Sequence, residues 1–145
     1  MAVAPKSKEF RERIVAAITA AEKDTSGEIR LHIQNRVKGD ILEVAKKRFE
    51  KMGMTATELR NGVLFFMAMK DQTFSVLGDK GIDDLVPDDF WEETVGVMRE
   101  QFGEGDLLGG LEAGIRKAGQ ALKEFFPYQS DDVNELSDEI SYGEE

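Results

Sequence analysis

The sequence predicts an α/β fold, a three-layer α/β/α sandwich around a mixed central sheet. Three observations carry that prediction. Two strand-like segments, Glu28–Gln34 and Val63–Met69, are separated by one amphipathic helical segment running from Ile41 to about Met52. Such a strand–helix–strand unit places its strands parallel through a right-handed crossover. Lys70-Asp71-Gln72 then reads as a hairpin turn into a further strand, Thr73–Leu77, which adds an antiparallel member. Helical segments before and after these strands supply cover for both faces.

Taken in order, the first helix runs from Ser7 to about Lys23, with Phe10, Ile14, Ala17, Ile18 and Ala21 at helical spacing. Ser7 suits an N-cap, and Glu9 in the first turn suits the helix dipole. Asp24-Thr25-Ser26-Gly27 breaks the pattern. Ile29, Leu31 and Ile33 then alternate with Arg30, His32 and Gln34, the pattern of a strand with one buried face. By this count His32, the only histidine, falls on the polar face and is expected at the surface. Asn35 to Gly39 form a loop, Asp40 caps the next helix, and Glu43 completes an acidic version of the capping box. That helix is expected to bury Leu42, Ala45, Phe49 and Met52, with Gly53 just past its end.

Arg60-Asn61-Gly62 turns into Val63–Met69, whose uninterrupted apolar run matches a central strand covered on both faces. Pro87 and Asp88 open a helix in which Phe90, Trp91, Val95, Met98 and Phe102 lie near one face, so Trp91 is expected in the core. Gly103-Glu104-Gly105-Asp106 separates it from a last helix, about Leu107 to Phe125, striped by Leu108, Leu111, Ile115, Ala118, Leu122 and Phe125.

Composition narrows the function classes. A chain of 145 residues suits one domain with a real core. It carries 29 acidic and 19 basic residues, a net charge of −10, which argues against a nucleic-acid partner. The absence of cysteine excludes disulfides, thiol catalysis and thiolate zinc sites, and a lone histidine excludes a multi-histidine metal site. No segment resembles a signal peptide, and no run approaches the ~18 apolar residues of a membrane span. A cytoplasmic, soluble protein is expected. Residues 1–127 form the expected domain. Residues 128–145 hold seven acidic residues and no lysine or arginine, the composition of an acidic disordered tail.

The chemistry concentrates between Val76 and Trp91. Asp79, Asp83, Asp84, Asp88 and Asp89 fall within eleven positions, after a strand and before a helix. Gly78 and Gly81 are expected to supply backbone of positive φ. A loop that gathers carboxylates suits a hard cation, Ca²⁺ or Mg²⁺, although aspartates also favour turns and helix caps without any ligand. Asp79, Asp88 and Asp89 are the first candidate ligands. Asp83 and Asp84 are reserves, because adjacent residues in an extended segment point opposite ways. Asp40 or Asp106 joins them if the fold brings either close. The spacing is not that of an EF-hand, since the sixth position from Asp79 is Asp84 rather than glycine.

Several stretches together resemble the TPM domain family: Thr25-Ser26-Gly27-Glu28-Ile29-Arg30, Arg60-Asn61-Gly62-Val63-Leu64, Gly78-Asp79-Lys80-Gly81-Ile82, Phe102-Gly103-Glu104-Gly105-Asp106 and Leu111-Glu112-Ala113-Gly114-Ile115. The resemblance runs from about Ser7 to Pro127. It implies an α/β/α sandwich, and calcium binding is attributed to the domain. Thylakoid-lumen members are linked to photosystem II repair and are credited with acid phosphatase activity. Many bacterial members are anchored or secreted, a feature not expected for this sequence.

Three functions follow from these readings. The first is a cation-binding domain with a structural or regulatory role. The second is a metal-assisted phosphatase, in which the ion activates water and the Arg60 fork neutralises phosphate; no P-loop or strand-borne aspartate pair supports it. The third is a protein-interaction module using the acidic tail or an exposed groove, with an unknown partner.

Overall fold

The computed structural model describes residues 7–23, 25–56, 59–87, 89–127 and 140–143. Among these residues five α-helices, α1 (Lys8–Glu22), α2 (Ile41–Lys51), α3 (Lys80–Asp83), α4 (Phe90–Gly103) and α5 (Leu107–Phe125), accompany four strands, β1 (Glu28–Gln34), β2 (Gly62–Ala68), β3 (Thr73–Gly78) and β4 (Ser141–Tyr142). The strand order is β3-β2-β1-β4. β1 runs parallel to β2 from Glu28 opposite Gly62 to Gln34 opposite Ala68, and β2 pairs antiparallel with β3. The mixed α/β sheet expected from the strand–helix–strand unit and the hairpin is therefore present.

α1 and α2 begin where the sequence places their caps, whereas α4 starts at Phe90, later than the Pro87 and Asp88 expected to open it. Ser7 accepts the Phe10 amide at 3.1 Å, and Asp40 accepts the Leu42 amide at 3.4 Å. Glu43 does not close a capping box; its carboxylate lies 3.8 Å from Lys46. On one face of the sheet, Phe10, Ile14 and Ile18 of α1, Met98 of α4 and Leu111, Ile115 and Leu122 of α5 pack against Ile29, Leu31, Ile33, Val63, Phe65 and Met67. On the other, Ala45 and Phe49 of α2 with Met54 cover Leu64 and Phe66. Every residue of β2 is buried, as its apolar run requires. No helix among the described residues is long and apolar enough to cross a membrane.

Leu42 of α2 is exposed rather than buried, and three larger expectations change. The alternation in β1 does not mark a solvent face, because both faces are covered and His32 is fully buried. Its Nδ1 lies 2.9 Å from Ser141 Oγ and its Nε2 2.9 Å from Gln34 Oε1. Gln34 Nε2 donates to the Arg36 carbonyl at 2.7 Å, which leaves its amide oxygen facing the ring. The network therefore puts a proton on Nε2, and in the neutral imidazole Ser141 donates to Nδ1. Burial pushes the His32 pKa below its ordinary value, opposed by the Gln34 hydrogen bond and aided by the charges of Arg48 and Arg30.

The second change is β4. Residues Ser141–Tyr142 lie in the stretch read as a disordered tail, yet they pair in parallel with His32 and Ile33, and the Gly143 amide donates to the Ile33 carbonyl at 2.8 Å. Ile140 is buried against the larger core. Two apolar side chains and an open edge of β1 suffice here, against an acidic composition. The remainder of the expected tail, 128–139 and 144–145, lies outside the described residues. The third change is Trp91. It sits at the rim of the core, half-buried, with its indole N–H donating to Asp83 at 2.9 Å.

Candidate functional site

β3 ends at Gly78, which lies opposite Val63 near the start of β2. The chain leaving β3 thus meets the chain entering β2, and Arg60 and Asp79 stand at one end of the sheet. Asp79 is only 6% exposed and accepts two parallel hydrogen bonds from Arg60, Nε to Oδ2 at 2.7 Å and Nη2 to Oδ1 at 2.8 Å. Bidentate pairing of this kind is among the stronger contacts a carboxylate makes. The hydrogen bond to Asp79, and then its charge, raise the Arg60 pKa. The same carboxylate caps α3 by accepting the Lys80 amide at 2.8 Å.

The backbone is fixed as firmly as the side chains. Arg60 sits at φ 53, a left-handed conformation uncommon outside glycine. Its carbonyl accepts the Gly81 amide at 2.7 Å, and the Asp79 amide donates to the Gly62 carbonyl at 2.8 Å. A Cβ on Gly81 would lie 2.2 Å from the Leu59 carbonyl oxygen and 2.5 Å from that of Arg60. Gly78 and Gly81 were expected to provide positive φ; instead they admit close neighbours, and the left-handed residue is Arg60.

The other candidate ligands are placed differently. Asp83 and Asp84 are exposed at the end of α3, and one Asp83 oxygen holds the Trp91 indole. Asp89 is exposed before α4 and makes no side-chain cap. Asp88 lies outside the described residues. Asp40 follows the carboxyl end of β1, a strand length of ~20 Å from the end that carries Asp79, so it is not a ligand of the same ion. Asp106 caps α5 through the Gly109 amide at 2.9 Å and lies beyond the far end of α4.

Among the described residues no three histidine, aspartate or glutamate side chains converge on one point. The donor chemistry of Asp83, Asp84 and Asp89 fits a hard divalent cation, whereas Asp79 already has a cationic partner. The Arg60 fork, cast as the phosphate-neutralising group in the phosphatase reading, is likewise engaged by Asp79. Sequence reasoning missed this pair. The hairpin register carried the signal, since extending it past Val63 and Gly78 brings Arg60 and Asp79 together.

The family model described as TPM domain matches residues 7–121. The chain is similar to the solution structure of the BA42 protein from the psychrophilic bacterium Bizionia argentinensis, with 45% identity, 94% of each chain covered and a TM-score of 0.89. It is also similar to the N-terminal domain of the cg2496 protein from Corynebacterium glutamicum, at 13% identity over 91% of this chain and 83% of that one, TM-score 0.66. The N-terminal domain of a P. gingivalis protein matches at 17% identity over 85% and 82%, TM-score 0.69. These last two show the fold alone. No curated protein matches the chain.

Proposed function

Because the chain belongs to the TPM domain family, we propose that it is a divalent-cation-binding domain with a structural or regulatory role, holding Ca²⁺ or Mg²⁺ at the outer part of the β3–α4 loop. The observation supporting this reading is a contrast of charge within the loop. Asp79 is neutralised by Arg60, while Asp83, Asp84 and Asp89 are exposed and form no ion pair among the described residues. Crowded carboxylates repel one another, and a divalent ion relieves that repulsion. Asp88, in the same run, supplies a further carboxylate.

The ion has to draw these groups together, which costs loop freedom and sets a weak affinity, with Kd on the order of 10⁻³ M. The Arg60–Asp79 pair is the fixed hinge for that closure and is not itself a ligand. A site present only in the folded state adds RT ln(1 + [L]/Kd), about 1.4 kcal/mol at tenfold excess over Kd. The test is thermal denaturation of the full chain at constant ionic strength, with and without each ion. Ca²⁺ or Mg²⁺ is expected to raise the Tm of the parent and of Asp131→Asn/Asp132→Asn, but not of Asp83→Asn/Asp84→Asn. An equal rise in both variants would leave only diffuse screening and overturn the reading.

A further inference from the structure

α2 packs towards β2 and β3, against Leu64, Phe66 and Leu77, and leaves a groove between itself and β4. The cavity there has a volume of about 510 Å³, with Lys47, Arg48 and Lys51 on the helix wall and Gln34, Tyr142 and Gly143 on the sheet wall. That volume is within the ~300–1,000 Å³ typical of small-molecule sites. The three cations, at i, i+1 and i+4 with Val44 one turn before, share one side of α2.

Two features set this groove apart. Among the described residues its lining contains three bases and no acid, in a chain whose acids outnumber its bases by ten. Lys47, Arg48 and Lys51 form no ion pair among the described residues, whereas Lys46 on the other side of the same helix is paired with Glu43. Like charges a turn apart destabilise a helix, so an anion seated between them relieves a standing repulsion. The wall opposite is fixed: Gln34 is buried and tied to His32 and the Arg36 carbonyl, and Gly143 is bonded to β1. A Cβ on Gly143 would lie 2.9 Å from Gln34 Cβ and 3.1 Å from His32 Nε2, so only glycine lets β4 sit this close. β4 thus forms one wall of a groove that would be absent if the chain stopped after α5.

We propose that the α2–β4 groove is a binding site for a small organic dianion, a dicarboxylate or a phosphate monoester, held by Lys47, Arg48 and Lys51. Gln34 is at the carboxyl end of β1 and Asp79 is at the opposite end of the sheet, so this site is independent of the cation loop.

The probes are inorganic phosphate and malonate, titrated into the full chain at ionic strength held constant with chloride, with amide shifts read by NMR. Saturable shifts at Lys47, Arg48, Lys51, Tyr142 and Gly143 with either probe are expected, and whichever saturates names the class. Lys47→Ala/Lys51→Ala should weaken binding about fivefold, the loss of two solvent-exposed charge contacts, with the remaining amide spectrum unchanged. Lys8→Ala/Lys46→Ala, the same charge change outside the groove, should leave binding as it was. If neither probe saturates, in the parent or in Glu144→Gln/Glu145→Gln where the two carboxylates following Gly143 are removed, the groove binds no dianion. Equal weakening by both lysine pairs overturns the proposal as well.

Discussion

The two halves of the acidic loop carry the same residue type and obey different rules. In the inner half, Asp79 is buried, gripped by both arms of Arg60, and bonded to the start of α3. In the outer half, Asp83, Asp84 and Asp89 are exposed, and among the described residues only Asp83 has a side-chain partner, the Trp91 indole. Burial accounts for the difference. A carboxylate removed from water needs a cation and donors at once, so the inner one is committed to the fold. An exposed carboxylate loses little by waiting for a ligand. Aspartate content alone therefore does not locate a site; what matters is which aspartates the fold has already used.

Substitutions that break this division should differ in size. The largest effect is expected at Gly81, where Ala would drive a methyl group into the Leu59 and Arg60 carbonyl oxygens and cost about 3 kcal/mol, read by urea denaturation. Asp79→Ala removes the ion pair and the α3 cap together. Because the Arg60 side chain is 45% exposed and can return to water, the expected loss is about 2 kcal/mol rather than that of a fully buried pair. A loss under about 0.5 kcal/mol would place Asp79 with the outer aspartates and break the comparison.

His32 offers a smaller, pH-dependent effect away from the loop. Its folded-state pKa is depressed, so the folded protein resists protonation more than the unfolded chain. The associated stability is present above the unfolded value of about 6.5 and is lost as pH falls from there through the folded value. His32→Gln should flatten that part of the stability–pH curve, and an unchanged slope would show that another group is responsible. Smallest of all, Asp84→Asn should change stability by no more than about 0.5 kcal/mol without added ions, since an exposed carboxylate is not part of the packing.

The fold was legible where periodicity was long. The α1, α4 and α5 stripes and the apolar run of β2 specify helices and a central strand, and the hairpin turn sets the antiparallel member. β1 was harder, because alternating polarity signals a solvent face only if nothing covers it, and here α2 and β4 flank that face with His32 between them. β4 was not legible at all: two paired residues in an acidic segment have no period to read, and their position depends on the edge of β1 they reach. The aspartate run was visible at once, but its division was not. Which carboxylate is spent depends on Arg60, nineteen residues away, and on a left-handed backbone that the residue type does not announce.

Amide chemical shifts recorded during Ca²⁺ and Mg²⁺ titration of the full chain, to millimolar levels at constant ionic strength, test the central claim most directly. Saturable shifts are expected in the segment from Gly78 to Phe90, largest at Asp83, Asp84 and Asp89, with the Arg60 side-chain Nε–H signal unmoved because its partner is not a ligand. They should weaken as pH falls towards the carboxylate range of about 4. Shifts that are absent, or that are spread evenly over the exposed acids of α1 and α4, would contradict the account.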